Sequence, residues 1–259
     1  MIRLAVCAGA LSVFAIAACG NDDPAAFDAN PSADGPATID ALTFDSTPPD
    51  AAGPCPGGVE FTGGYEDWDS TDQDFLGIVD ATYTEVGNKS NTATTAPNGR
   101  VEMCLEPIGN SVLTITHNTY LDAVYSMSSE ANAAGPFAIR GLTAARADQL
   151  FTDISETRDV GDAQVIVAVR LYPGGTPVVG AQVSVGNTND GAFTPNASGA
   201  YVSGATTTDD AFVLFANTQL GADTTTVTVT PPNGTTCDGV ANIVVAAGEL
   251  AFTTFACTD

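Results

Sequence analysis

Three short segments recur in the same order in two halves of this chain, and no other feature constrains its fold as tightly. "GIVDATYTEV" (77–86) matches "PVVGAQVSV" (177–185), with Ala81 against Ala181 and Tyr83 against Val183. "TTAPNGRVEMCLEP" (94–107) matches "TTTDDAFVLFANT" (206–218), and "VLTITHNTY" (112–120) matches "TVTVTPPNG" (226–234). The spacing differs by one longer loop, residues 186–205. Each piece is short, alternating and rich in Val, Ile, Thr or aromatics, between clusters of Asn, Asp, Gly and Pro. Such pieces read as strands of an antiparallel sandwich. "GAQVSV" sends Ala181, Val183 and Val185 inward and Gln182 and Ser184 outward. "QVIVAVRLY" (164–172) puts Val165, Val167, Val169 and Leu171 on one face, and "PGG" then turns the chain.

Between the halves the period changes. In "GLTAARADQLFTDISETRD" (141–159), Thr143 can cap a helix whose Ala147, Leu150, Phe151 and Ile154 form one apolar stripe. A helix packed on a sandwich edge is the plain reading; a hinge or a partner groove is the alternative.

These residues carry a family resemblance. "GGTPVVGAQVSV…TTTDDAFVLF…TVTVT" resembles the carboxypeptidase regulatory-like domain, a transthyretin-like β-sandwich related to collagen-adhesin B-type repeats. Its pattern is a strand, a "G-x-P-V-x-G-A-x-V" hairpin, a "T-x-x-D/N-G-x-F" turn into a strand, then a final pair. Residues 163–257 follow it, with Ala211 in place of the customary Gly. Residues 56–125 keep the turn in "APNGRVEMCL", while the first strand around Val59–Phe61 is indistinct. The expected fold is all-β, with two transthyretin/Ig-like antiparallel β-sandwich modules at 55–140 and 161–259. A short connecting helix at 141–160 separates them, and a disordered linker precedes them. The resemblance implies an accessory or binding module.

The amino terminus bears on location. After Met1-Ile2-Arg3, the apolar run Leu4–Ala18 falls short of the about 20 residues a transmembrane helix needs, and it suits a secretory signal. Its end, Ile16-Ala17-Ala18-Cys19, resembles the lipobox of bacterial lipoprotein signal peptides. That resemblance implies removal of residues 1–18, a diacylated Cys19 sulfur and an acylated new amino terminus. The alternative is an ordinary signal that happens to contain a cysteine. Two or more acyl chains, each buried methylene contributing about 0.8 kcal/mol, give stable attachment to a membrane. By resemblance to enteric lipoproteins, Gly20 in place of Asp favours the bacterial outer membrane, with the body facing periplasm or cell exterior. Residues 19–54 are mostly Asp, Ala and Pro, too poor in apolar area to offset ordering entropy, and are expected to be a disordered stalk.

Composition limits the partners. Seven Lys plus Arg stand against 31 Asp plus Glu, a formal charge of −24. Loss of Arg3 with the leader makes the balance one unit more acidic. Nucleic acid and anionic membrane surfaces need a basic face, so neither is an expected partner. An envelope protein or glycan is, besides the membrane that takes the anchor. Apolar residues at 44 %, with 12 Phe, suffice for a packed core.

Cys7 lies in the leader, which leaves Cys55, Cys104, Cys237 and Cys257 besides Cys19. An even count in an exported chain reads as two disulfides, with three possible connectivities. Strands 239–246 and 249–257, joined at Ala247-Gly248, form an expected hairpin that sets Cys237 directly opposite Cys257. Cys55 with Cys104 then follows by elimination. Nothing has the spacing of a zinc site.

Chemistry is sparse. His117 is the one histidine, at the end of a strand, where a structural role is expected. No GxSxG elbow supplies a nucleophile. Intradiol dioxygenases have a broadly similar sandwich but hold iron with two His and two Tyr, which one histidine excludes. Lys89 is the one lysine, so an adhesin-type isopeptide bond cannot form in residues 90–259. The most pointed cluster is "YEDWDSTDQDF" (65–75), whose Glu66, Asp67, Asp69, Asp72 and Asp74 offer the oxygen ligands that Ca²⁺ takes. It does not fit the EF-hand frame, and a solvated acidic loop is the alternative. Trp68 is a candidate platform for sugar or peptide, with core packing as its alternative. No catalytic residue is assigned and no cofactor is required, calcium being the single candidate. The expected function is a non-catalytic structural or binding role in the envelope. Its rivals are a calcium-dependent carbohydrate-binding or adhesion module and a hydrolase using Asp67 and Asp69.

Overall fold

The computed structural model describes residues 55, 58–70, 76–106, 109–128, 137–172 and 174–258. The leader, Cys19, the 19–54 segment, Asp72 and Asp74 lie outside them. The first half supplies β1 (Val59–Asp67), β2 (Thr82–Glu85), β3 (Asn88–Thr94), β4 (Arg100–Leu105), β5 (Asn110–Thr116), β6 (Ala123–Ser128) and β7 (Phe137–Gly141). One helix follows, α1 (Ala144–Asp153). The second half supplies β8 (Ala163–Leu171), β9 (Gln182–Val185), β10 (Gly191–Pro195), β11 (Tyr201–Ser203) and β12 (Phe212–Thr218). It ends with β13 (Thr224–Thr230), β14 (Thr236–Asp238), β15 (Asn242–Val244) and β16 (Leu250–Thr258).

The protein is an all-β sandwich, and its two halves repeat one topology. In the first, β1 lies between antiparallel β4 and parallel β7; in the second, β8 lies between antiparallel β12 and parallel β16. The facing sheets repeat as well: β2, β5 and β6 run antiparallel in that order, as do β9, β13 and β15. Alternation explains the single-faced strands. β4 buries Val101, Met103 and Leu105 and turns Glu102 and Cys104 outward. The long 186–205 loop of the second half carries β10 and β11, which extend its sheet beyond β12.

The halves are fused. β6 pairs parallel with β16, Leu250 opposite Ala123 through Thr253 opposite Ser126. One sheet therefore runs β11-β10-β12-β8-β16-β6-β5-β2-β3, with β4-β1-β7 and β15-β13-β9 as separate three-stranded sheets. The central strands are buried on both faces, which is why they read as continuous apolar runs. On β8, Ile166 joins a core with Phe61, Tyr83 and Tyr125, while Val165, Val167 and Val169 join a second core with Val183 and Ile243. β16 divides likewise, Leu250 and Phe252 to the first core and Ala251 and Phe255 to the second.

Three expectations need correction. The indistinct segment at Val59–Phe61 is the start of a nine-residue strand, β1. "QVIVAVRLY" buries both faces, because the first half covers the side that a lone sandwich would leave wet. The 239–257 hairpin is broken: β14 pairs with β16, while β15 leaves to pair with β13. The helix forms where its stripe predicts. Thr143 Oγ1 accepts from the Arg146 amide at 3.2 Å, and Ala147, Leu150 and Phe151 are buried.

Candidate functional site

β1 delivers the acidic cluster. Its last residues, Glu66 and Asp67, lead into a turn in which the Ser70 amide donates to the Asp67 carbonyl at 3.0 Å. Asp67 Oδ1 accepts from the Asp69 amide at 3.0 Å, and Asp67 Oδ2 accepts from the Tyr120 hydroxyl at 2.7 Å. Burial first, and then this bond to Asp67, pushes the Tyr120 phenol up to about 12. Glu66 meets Arg140 at 3.3 Å, and Asp69 meets Arg146 at 2.8 Å. The three carboxylates thus face three different partners, carried by β7, α1 and the loop before β6. Among the described residues, no three His, Cys, Asp or Glu side chains gather as a metal-ligand set. The Asp69 side chain is 54 % exposed, so its ion pair adds little stability and mainly fixes the loop against the helix.

Trp68 is 4 % exposed, so it belongs to the core and does not stand as an open platform. Its ring stacks on Tyr201 at 6.3 Å and meets the edge of Phe212 at 5.7 Å. His117 Nδ1 accepts from the Thr119 amide at 3.2 Å and its ring lies 5.2 Å from that of Tyr120, a structural setting.

Both disulfides are present. Cys55–Cys104 ties the approach to β1 to β4 across a sequence separation of 49. Cys237–Cys257 ties β14 to β16 across a separation of 20, the two residues directly opposite in the ladder.

Sequence reasoning missed one feature, a cavity of about 40 Å³ where β1 and β7 of the first half meet β6, β8, β12 and β16. Trp68, Phe212, Ile139 and Ile166 wall it, and Arg140 and Arg170 reach it from opposite halves. The Arg140 guanidinium lies 5.8 Å from the Phe212 ring centroid, and Arg170 Nη1 donates to the Gly175 carbonyl at 2.9 Å. Tyr125 and Thr253 also line the cavity, each 1 % exposed, and neither hydroxyl has a hydrogen-bond partner. Burial pushes the Tyr125 phenol up; the nearby Thr254 hydroxyl, short of hydrogen-bond geometry, and the Arg170 charge pull it part of the way back. The available signal was scarcity: a chain with so few cations places one inside each of two apolar strand runs, "FAIRG" and "VAVRL".

The fold and these sites define an all-β sandwich protein with its acidic groups braced. No known protein family matches the sequence, and no curated protein matches it. Among solved structures, the chain is similar to the Bacillus anthracis TIE protein at 13 % identity and a TM-score of 0.27, covering 78 % of this chain and 34 % of that one. It thus spans about a third of that relative's length. GBS52, the minor pilin of Streptococcus agalactiae, is similar at 7 % identity and a TM-score of 0.29, covering 78 % of this chain and 96 % of that one. The shaft pilin SpaA from Lactobacillus rhamnosus GG is similar at 12 % identity and a TM-score of 0.24, covering 77 % of this chain and 97 % of that one.

Proposed function

We propose that this protein is lipid-anchored in the bacterial envelope, in the outer membrane, and works without catalysis. It holds a protein or glycan partner or serves as a structural element. Cys19 carries the lipid, residues 19–54 are the acidic stalk, and the body comprises the module 55–140, the helix 141–160 and the carboxypeptidase regulatory-like module 161–259.

The bracing of the acidic side chains is the observation that supports this reading most. A hydrolytic pair needs two carboxyls aimed at one bond. Asp67 is bound to Tyr120 and Asp69 to Arg146, so each serves a contact within the fold. No helix among the described residues is long and apolar enough to cross a membrane, which leaves attachment to the Cys19 lipid in this reading.

Intact-mass measurement of the protein extracted from its membrane tests the anchor. An acylated Cys19 as first residue is expected, and any other first residue overturns it. Calorimetric titration with Ca²⁺ separates the adhesion alternative: no saturable heat is expected, and a saturable heat lost in Asp69→Asn would replace this reading with that one.

A further inference from the structure

The cavity at the junction of the halves holds a combination the rest of the molecule lacks. The chain has seven Lys and Arg, and two of them, Arg140 and Arg170, line this one space. Two hydroxyls without partners, on Tyr125 and Thr253, belong to residues lining the same space. Buried polar groups are nearly always hydrogen-bonded, so a pair of orphans in one cavity points to something that completes them. Aromatic and aliphatic walls keep the local dielectric low, which strengthens attraction between a guanidinium and an anion.

Size and charge narrow the occupant. A water needs roughly 10–15 Å³ of such space, so a cavity of about 40 Å³ admits a group of a few heavy atoms and excludes a sugar ring. Elsewhere the body is strongly acidic and repels anions. Arg140 already displays the chemistry at one wall, where it grips the Glu66 carboxylate at 3.3 Å.

We propose that this cavity is an anion site that takes a single small carboxylate, held by Arg140 and Arg170 with hydrogen bonds from the Tyr125 and Thr253 hydroxyls. The carboxylate comes either as a free short-chain acid or as the carboxyl terminus of a peptide. The site goes beyond the envelope reading and does not depend on where the chain is anchored.

Trp68, the sole tryptophan, lines the cavity and reports on it. The full chain is titrated with sodium acetate at constant ionic strength while Trp68 fluorescence is followed. A short alanine peptide with a free carboxyl terminus, its amide and sodium chloride are titrated in parallel. A saturable change with acetate is expected, absent with chloride and with the amide. Saturation by the free-terminus peptide assigns the source to a chain end, and saturation by acetate alone assigns it to a small acid. Arg170→Gln is expected to weaken binding by about tenfold or more, and Thr253→Val by a few-fold. Tyr125→Phe, which keeps the ring, is a second few-fold test should Arg170→Gln fail to fold. Lys89→Gln, on an exposed strand, leaves binding unchanged. A response that never saturates, one shared equally with chloride, or one that survives both Thr253→Val and Tyr125→Phe overturns the proposal.

Discussion

Thr95 in the first half and Thr207 in the second tie the same knot. Thr95 Oγ1 donates to the Ile78 carbonyl at 2.7 Å and accepts from the Ala81 amide at 2.9 Å, while its own amide donates to the Ala81 carbonyl at 2.9 Å. Thr207 Oγ1 donates to the Val178 carbonyl and accepts from the Ala181 amide at 3.0 Å, and its amide donates to the Ala181 carbonyl at 2.9 Å. The turns beside the knots also agree in shape, yet they place glycine at opposite corners. The first half has Asp80 at φ 62° and Gly99 at φ 72°; the second has Gly180 at φ 89° and Ala211 at φ 61°. Left-handed backbone is thus a demand of the shape, and each half meets it with glycine at one corner and with strain at the other. A repeat can keep its geometry while its residues trade places.

The staples differ most between the halves, so they give the largest effect. Restricting the unfolded chain stabilises more when the closed loop is longer. Replacing Cys55 and Cys104 together by Ala should cost about 4 kcal/mol, and replacing Cys237 and Cys257 about 3 kcal/mol, on the chain-entropy estimate. Urea unfolding of each double variant measures this. The reverse order would mean that strain or residual structure, and not loop length, sets the ranking.

The glycine corners come next. A Cβ on Gly99 would lie 2.6 Å from Gly77 Cα and 2.7 Å from the Tyr65 carbonyl oxygen, whereas one on Gly180 would meet nothing within 4 Å. Gly99→Ala combines overpacking against backbone with an unfavourable φ and should cost about 3 kcal/mol; Gly180→Ala carries the φ penalty alone, about 1 kcal/mol. Equal losses would show that the approach of Gly77 to Gly99 relaxes freely.

The knots themselves should be interchangeable. Thr95→Val and Thr207→Val each leave a buried amide and a buried carbonyl short of a partner, so about 2 kcal/mol is expected from either. The Ser variants, which keep the hydroxyl, should recover most of it. Denaturant midpoints read both. A loss confined to one half would mean that the shared hydrogen-bond pattern bears unequal loads.

Much of this was legible in the sequence because it is local or periodic. Ala81 and Ala181 mark the same corner, alternation marks β4 and β13, and Thr143 with its apolar stripe marks α1. The longer 186–205 loop marks the inserted pair β10 and β11. The fusion of the halves was not legible. Pairing of β6 with β16 joins residues more than a hundred positions apart, and a strand buried on two faces loses the alternation that would tell which face belongs to which core. The hairpin failed at the same place, since β15 prefers a partner in the other sheet. In the acidic cluster the residues were visible and their partners were not: Arg140 and Arg146 lie far along the chain from Glu66 and Asp69. The cavity has no single-segment signature at all, because six strands each contribute a piece of it or its rim.

The smallest effect probes the comparison most finely, because it exchanges the corners. Asp80 is exposed and left-handed, and its amide donates to the Thr95 carbonyl at 3.3 Å; Gly180 makes the equivalent bond to Thr207 at 2.9 Å. Asp80→Gly removes the steric penalty of a left-handed non-glycine residue but returns freedom to the unfolded chain, so the terms nearly cancel. A gain of about 0.5 kcal/mol is expected, together with slower exchange of the Asp80-position amide as its bond tightens. Gly180→Asp imports the first half's solution into the second and should lose about 1 kcal/mol while leaving the Thr207 knot intact. If Asp80→Gly instead destabilises, the Asp80 side chain performs a local task that Gly180 does not, and the two corners are alike in backbone only.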